Sequence, residues 1–178
     1  MLSTDISLAH GMLSLAEISL IKSLISTSNI PNDAIIVNIG IGPGTSCVVF
    51  KEVLPDCKLY AIDVSYEAGK IFSRLIGKES ATFILANSQR VKLDVSYIDI
   101  LFIDGDHTYE GVKADITNWM LLVRPEGLIF FHDYPTNGKI HPKKNVENAR
   151  QAVKRAVDEW AKDKKPTGQE KILIAFRK

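Results

Sequence analysis

Cysteine is nearly missing from this 178-residue chain, which carries two, Cys47 and Cys57. They form neither a CxxC pair nor any metal-ligand spacing, which excludes a disulfide scaffold and a cysteine-built zinc site. Both fall around an expected helix and read as reduced, packed thiols. An excess of one charge is missing too: 22 Lys and Arg stand against 21 Asp and Glu, for a formal net charge of +1. No global field therefore draws the chain toward nucleic acid or an anionic membrane. The short basic stretch of Lys139, His141, Lys143 and Lys144 reads as a solvated loop. No long apolar run opens the sequence, because Asp5, His10, Glu17 and Lys22 interrupt the first segment. The expectation is a cytoplasmic protein without a signal peptide or membrane span. Internal repeats, low-complexity tracts and Pro/Gly/Ser linkers are lacking as well. The reading is one domain over 1–178, with a helical segment over 1–30 at its front.

What the sequence does contain is ordinary globular composition, 46% apolar and 24% charged, in an alternating pattern. Leu13, Ala16, Leu20, Ile21, Leu24 and Ile25 recur at helical spacing, and 29–33, with Pro31 inside, ends that helix. Short apolar runs over 34–39, 59–62, 82–86, 98–103, 128–131 and 172–176 predict strands. Helices are expected over 45–54, over 66–76 behind the N-cap Ser65, and along Val146, Ala149, Val153, Val157 and Trp160. Val112, Ile116, Trp119 and Val123 mark the face of another. Continuous apolar strands alternating with helices predict an α/β fold, a doubly wound and mostly parallel Rossmann-like sheet covered on both faces. Such sheets bind ligands beyond the carboxyl ends of their strands. Four strands here end in polar residues, delivering Gly40, Gly42 and Gly44, then Asp63, Asp104 and His132-Asp133 to one rim.

The stretch Asn38-Ile39-Gly40-Ile41-Gly42-Pro43-Gly44-Thr45 leaves a strand and opens a helix. Glycine suits that position because the backbone turns sharply and a Cβ would block a close ligand. The helix N-terminus behind it offers free N–H groups to electronegative atoms. Asp63, about twenty residues on, is placed to accept hydrogen bonds from ribose hydroxyls; the alternative is an acid capping the next helix. A dinucleotide fingerprint requires Gly or Ala at the sixth position of the turn, where this chain has Thr45.

The G-x-G-x-G spacing resembles the first motif of class I S-adenosylmethionine-dependent methyltransferases. More specific are Ile98-Asp99-Ile100-Leu101-Phe102-Ile103-Asp104-Gly105-Asp106-His107-Thr108-Tyr109-Glu110-Gly111-Val112 and Gly127-Leu128-Ile129-Phe130-Phe131-His132-Asp133-Tyr134. Together they resemble the small-molecule and sugar O-methyltransferases of that class, over nearly the whole chain from residue 34. The resemblance implies S-adenosylmethionine as cofactor, with Asn38, Gly40, Gly42, Gly44, Asp63, Ser88 and Asp104 around it. The glycine turn would contact the methionine portion, Asp63 the ribose, and Ser88 the region of the adenine. It also implies a seven-stranded sheet with a reversed final hairpin. Only 172–176 reads as a strand after the last helix, so the sixth strand is expected to be short or missing. Asn38 stands where the family carries an acid facing the ligand's amino group, so this chain lacks a charge there.

Metal-dependent relatives place an acid at the fourth strand end and a ligand pair at the fifth, here Asp104, His132 and Asp133. Mg²⁺ or another divalent ion would there lower the pKa of an acceptor hydroxyl, although imidazole suits softer metals better. His107 matches the base position of some relatives; the alternative is a helix-start histidine satisfied by Asp106 or a backbone carbonyl. Asp106 reads as structural, and His10 and His141 as ordinary surface or packing residues. The expected partner is a small-molecule acceptor, with no nucleic acid and no membrane, and a homodimer could complete an open acceptor site. Three other functions stay open: a non-catalytic S-adenosylmethionine-binding domain, a nicotinamide-dependent oxidoreductase and a metal-dependent phosphoesterase.

Overall fold

In a computed structural model that describes residues 2–5, 12–76, 81–136 and 140–178, the apolar runs become the middle of a seven-stranded sheet. The strands are β1 (Ile35–Ile39), β2 (Lys58–Asp63), β3 (Ala81–Leu85), β4 (Ile98–Ile103), β5 (Val123–Phe131), β6 (Gly168–Glu170) and β7 (Leu173–Arg177). Their order is β3-β2-β1-β4-β5-β7-β6. β1 to β5 run parallel, whereas β7 lies antiparallel to both β5 and β6. His10 and Lys139 lie outside the described residues.

The strands are apolar on both sides because both faces are covered. Ile100, Phe102, Leu128 and Phe130 pack under α1 (Leu15–Thr27), α2 (Thr45–Val53) and α3 (Tyr66–Leu75). Their neighbours Leu101, Ile103, Ile129 and Phe131 point the other way, under α4 (Tyr109–Trp119) and α5 (Lys144–Trp160). The helix starts follow their capping chemistry. Ser14 and Glu17 form a reciprocal capping box on α1, Ser65 accepts from the Ala68 N–H, and Thr108 accepts from the Gly111 N–H at 3.0 Å.

Two details depart from the sequence reading, at the start of β5 and of the first helix, and the short sixth strand agrees with it. Val123 is not on the α4 face; it opens β5, and Pro125-Glu126-Gly127 lies within that strand rather than before it. The pairing absorbs this stretch by a register shift between Ile98 and Ile100, with Glu126 at φ 64°. The sixth strand is present as three residues held by β7, which takes its place next to β5. The N-terminal helix begins after Leu13, whose side chain is buried ahead of the Ser14 cap.

The chain lays β1, β2 and β3 outward on one side, then crosses to β4 on the other. That reversal, between β1 and β4, is where such sheets open a crevice. Backbone hydrogen bonds align the strand ends there: Gly40 N–H donates to Ile62, Asp104 N–H to Ile39, and His132 N–H to Ile103. Register alone therefore brings Gly40, Asp63, Asp104 and His132 to one rim.

Candidate active site

The glycine turn is built for close approach. Gly40, Gly42 and Gly44 all have positive φ, at 72°, 47° and 84°. They do different work. A Cβ on Gly40 would lie 2.0 Å from the Asp104 carbonyl oxygen, so this glycine lets β1 and β4 meet. A Cβ on Gly44 would lie 3.0 Å from Leu75, so this one lets α2 pack on α3. Only Gly42 faces open space, with the Met12 methyl 3.7 Å from the added carbon. Asp63 braces the turn: one carboxylate oxygen accepts from the Ile41 N–H at 2.9 Å, the other from the Ser65 N–H at 2.8 Å. Each oxygen retains a lone pair toward the cavity.

That cavity, of about 530 Å³, has Gly40, Gly42, Asp63, Ser88, Asp104 and His107 in its wall. Met12, Val64, Asn87, Gln89 and Asp106 also line it, and the sequence reading had not assigned them to it. Ser88 donates its hydroxyl to Asp115 at 2.6 Å, and Trp119 Nε1 donates to the Ser88 carbonyl at 3.1 Å. Burial raises the Asp115 carboxyl to about 6, and the Ser88 hydrogen bond opposes it.

Two of the wall residues, Asp104 and His107, converge with Asp133, with one ligand atom from each lying within 4.8 Å of the others. His107 Nε2 lies 3.2 Å from Asp104 and 3.0 Å from Asp133. Asp133 reaches back because its backbone is left-handed, φ 53°, an unusual conformation for a residue with a side chain. Arg150 on α5 holds the far Asp133 oxygen through Nε at 3.1 Å. Hydrogen bonds to Asp104 and Asp133 raise His107 to about 10, against its partial burial. Burial pushes the Asp133 carboxyl up, but the His107 hydrogen bond and the surrounding positive charges hold it well below the usual carboxylate range. Asp104 is lowered for the same reasons, with His132 its strongest counter-charge. At neutral pH the imidazole thus carries a proton shared between two carboxylates.

His132 takes a different place from the one expected. It is buried behind Asp104, with Nδ1 3.2 Å from that carboxylate and Nε2 3.8 Å from Glu17 of α1. Burial lowers its pKa, yet the Asp104 charge wins and raises it to about 9. The β5 register points His132 inward toward Glu17, while the next residue, Asp133, reaches His107, so His107 replaces His132 as the third member of the cluster. Asn38 and Gly44 do not reach the cavity wall. Asn38 is buried beneath the turn, donating to Ser46 at 2.7 Å and to Cys47 at 3.1 Å, and its Oδ1 lacks a hydrogen-bond partner among the described residues. Asp106 fixes the α4 start by accepting from the Thr108 N–H at 2.9 Å. His141 accepts from the Lys143 N–H at 3.1 Å.

A glycine turn at the switch point, an acid on the next strand and a charged cluster at the cavity wall define an α/β domain for a nucleoside-bearing cofactor. The chain belongs to the family described as methyltransferase domain, whose pattern matches residues 37–134, more than half of its length. It therefore carries an S-adenosylmethionine-dependent methyltransferase domain. An uncharacterized protein of Sinorhizobium fredii (strain NGR234) is 40% identical over 62 residues, 35% of this chain and 6% of that protein. The chain thus spans only a small fraction of that curated relative. Solved structures share the fold at low identity. A Staphylococcus aureus protein provisionally assigned as a caffeoyl-CoA O-methyltransferase superposes with a TM-score of 0.77 at 16% identity, over 98% of this chain and 90% of that one. The O-methyltransferase NovP gives 0.74 at 15% identity, over 95% and 82%. The N-methyltransferase NodS of Bradyrhizobium japonicum in complex with S-adenosylhomocysteine gives 0.61 at 15% identity, over 89% and 83%. Among the described residues, no helix is long and apolar enough to cross a membrane.

Proposed function

We propose that the protein transfers the methyl group of S-adenosylmethionine to a hydroxyl oxygen of a small molecule. The observation that carries this reading is the Asp104–His107–Asp133 cluster, which meets the cavity of Gly42 and Asp63 at the sheet's switch point. The cavity fits the cofactor: its volume lies in the ordinary range for such ligands, and Gly42 leaves space that a Cβ would fill. Asp63 accepts from the ribose hydroxyls through its remaining lone pairs, and Ser88 borders the adenine. Asn38 supports the methionine end from beneath the turn rather than by direct exposure.

In methyl transfer the acceptor oxygen forms a bond to the methyl carbon as the carbon–sulfur bond breaks, and the electron pair remains on sulfur. The protein must align the acceptor and take up its proton. Asp104 and Asp133 orient the hydroxyl, and Arg150 and His132 hold the two carboxylates in place. His107 is charged at neutral pH and serves as a base only after losing its shared proton. Two carboxylate oxygens and one imidazole nitrogen also suit a divalent ion, of a transition-metal type rather than Mg²⁺ because of the imidazole. Bound there, such an ion supplies the lowered hydroxyl pKa.

The test is threefold. S-adenosylhomocysteine should bind and NAD should not; equal binding of NAD would overturn the assignment. Asp104→Asn should remove activity on hydroxyl acceptors while leaving cofactor affinity within a few-fold, a separation expected of a group acting on the acceptor. A chelator should abolish activity if a metal serves. Chelator resistance, with a rate that climbs toward the high pKa of His107, identifies the imidazole as the base.

A further inference from the structure

A second cavity of about 440 Å³ is joined to the cluster through Arg150, which lines it and holds Asp133. Met12 lines both cavities, and Arg150, which grips Asp133, lines only this one. Its walls gather three nitrogen donors from separate segments: Arg150 of α5, His141 ahead of that helix, and Lys171 in the β6–β7 turn. Arg150 spends only Nε on Asp133, so both terminal nitrogens lack a partner among the described residues. Lys171 Nζ likewise forms no ion pair among them. His141 accepts at Nδ1, which makes Nε2 the donor.

Among the described residues the one acid in this wall is already occupied, and Glu147 beside it accepts from the His141 N–H at 2.7 Å. Glu17 accepts from the Ser14 N–H and hydroxyl at 2.7 Å and from the Ile172 N–H at 3.1 Å, with His132 behind it. The Lys171 backbone is held at φ 50°, a conformation that costs a lysine energy, and its carbonyl is clamped by the Thr136 N–H and hydroxyl. A surface turn without a function would more readily carry Gly or Asn there.

Resting on the methyltransferase reading above, we infer that this second cavity holds the acceptor, and that the acceptor bears a group negatively charged at neutral pH besides its hydroxyl. Arg150 receives the anion by its terminal nitrogens, a geometry suited to carboxylate or phosphate, while Lys171 adds a point charge. The same Arg150 then links acceptor charge to the Asp133 carboxylate that orients the reacting hydroxyl.

The test uses the full chain saturated with S-adenosylhomocysteine and calorimetry with acids against their neutral amides, protocatechuate and glucuronate each against its own amide, with inorganic phosphate added as a bare anion. At least one acid should bind about tenfold tighter than its neutral partner, the size of one hydrogen bond to a charged group. Arg150→Gln should erase that preference, Lys171→Gly should reduce it, and Lys171→Arg should keep it. Lys171→Gly relieves the left-handed strain, so lost binding cannot be attributed to unfolding. Preference for neutral partners, equal affinities, no binding of any anion at millimolar concentration, or acid preference undiminished in both Arg150→Gln and Lys171→Gly would each overturn the inference. Any of these with tight S-adenosylhomocysteine binding leaves the methyltransferase reading standing; failure of S-adenosylhomocysteine to bind removes both. Binding of phosphate but neither organic acid would assign a phosphorylated acceptor.

Discussion

Asp63 accepts from two backbone N–H groups at once, so it braces the glycine turn in addition to the ribose role proposed for it. Asp63→Ala is therefore expected to weaken S-adenosylhomocysteine binding by about 1.5–3 kcal/mol, measured by calorimetry, and also to lower the melting temperature. Loss of melting temperature with unchanged affinity would reduce the residue to a brace. His107 gives a pH signature. Its folded pKa of about 10 exceeds the ordinary 6.5, so its contribution to stability is complete below 6.5 and fades as pH rises through 10. Asp133 is shifted downward, so its contribution is present above 3.8 and fades as pH falls toward its folded value. The melting-temperature gap between wild type and His107→Gln should accordingly be widest near pH 5–6 and shrink by pH 10. A gap constant across that range would show that no proton is shared there. At this scale the sequence revealed which residues gather at the rim but not how they pair. Asp104, His107 and Asp133 were legible as rim residues at strand ends. That His132 turns inward toward Glu17, leaving His107 in the cluster, depends on the β5 register and a left-handed Asp133 that no local pattern announces.

Glycine turns look alike in sequence, and the three glycines here separate only through the elements they join. Gly40→Ala drives a methyl into the β4 backbone at Asp104, so it should cost stability heavily and cofactor affinity with it. Gly42→Ala meets open space and should lose about 1–2 kcal/mol through its left-handed backbone, yet abolish most cofactor binding because the methyl enters the cavity. Thermal melts and calorimetry on both variants decide this; Gly42→Ala with normal affinity would move the cofactor away from the turn. Elements that bury both faces were the most readable, since β1 and β4 are nearly unbroken apolar runs. β5 was misjudged at its start because Pro125 and Gly127 are ordinary turn signals, and the edge geometry that tolerates them is set by Asp99 and Arg124. Those two form an ion pair in which Asp99 also accepts from the Ile35 N–H, tying β1, β4 and β5 together at the end opposite the cavity.

At the scale of the whole molecule, cofactor binding and folding are one equilibrium. A ligand held only by the native state stabilises it by about 2.7 kcal/mol at a hundredfold excess over its dissociation constant, so S-adenosylmethionine should raise the melting temperature and NAD should not. The topology adds a consequence for the order in which the protein is made. β7 follows every other strand along the chain, yet sits inside the sheet between β5 and β6, with the apolar residues Leu173, Ile174, Ala175 and Phe176 buried. Until residues 173–177 have left the ribosome, β5 presents an unpaired backbone edge beside Phe130 and Phe131. The growing chain thus passes through a stage in which its catalytic rim is already assigned by β1, β4 and β5 but its sheet is open to any neighbouring strand. Chains stalled after Lys171 should accumulate as chaperone clients or aggregates, whereas chains extended through Arg177 cover the β5 edge and escape them.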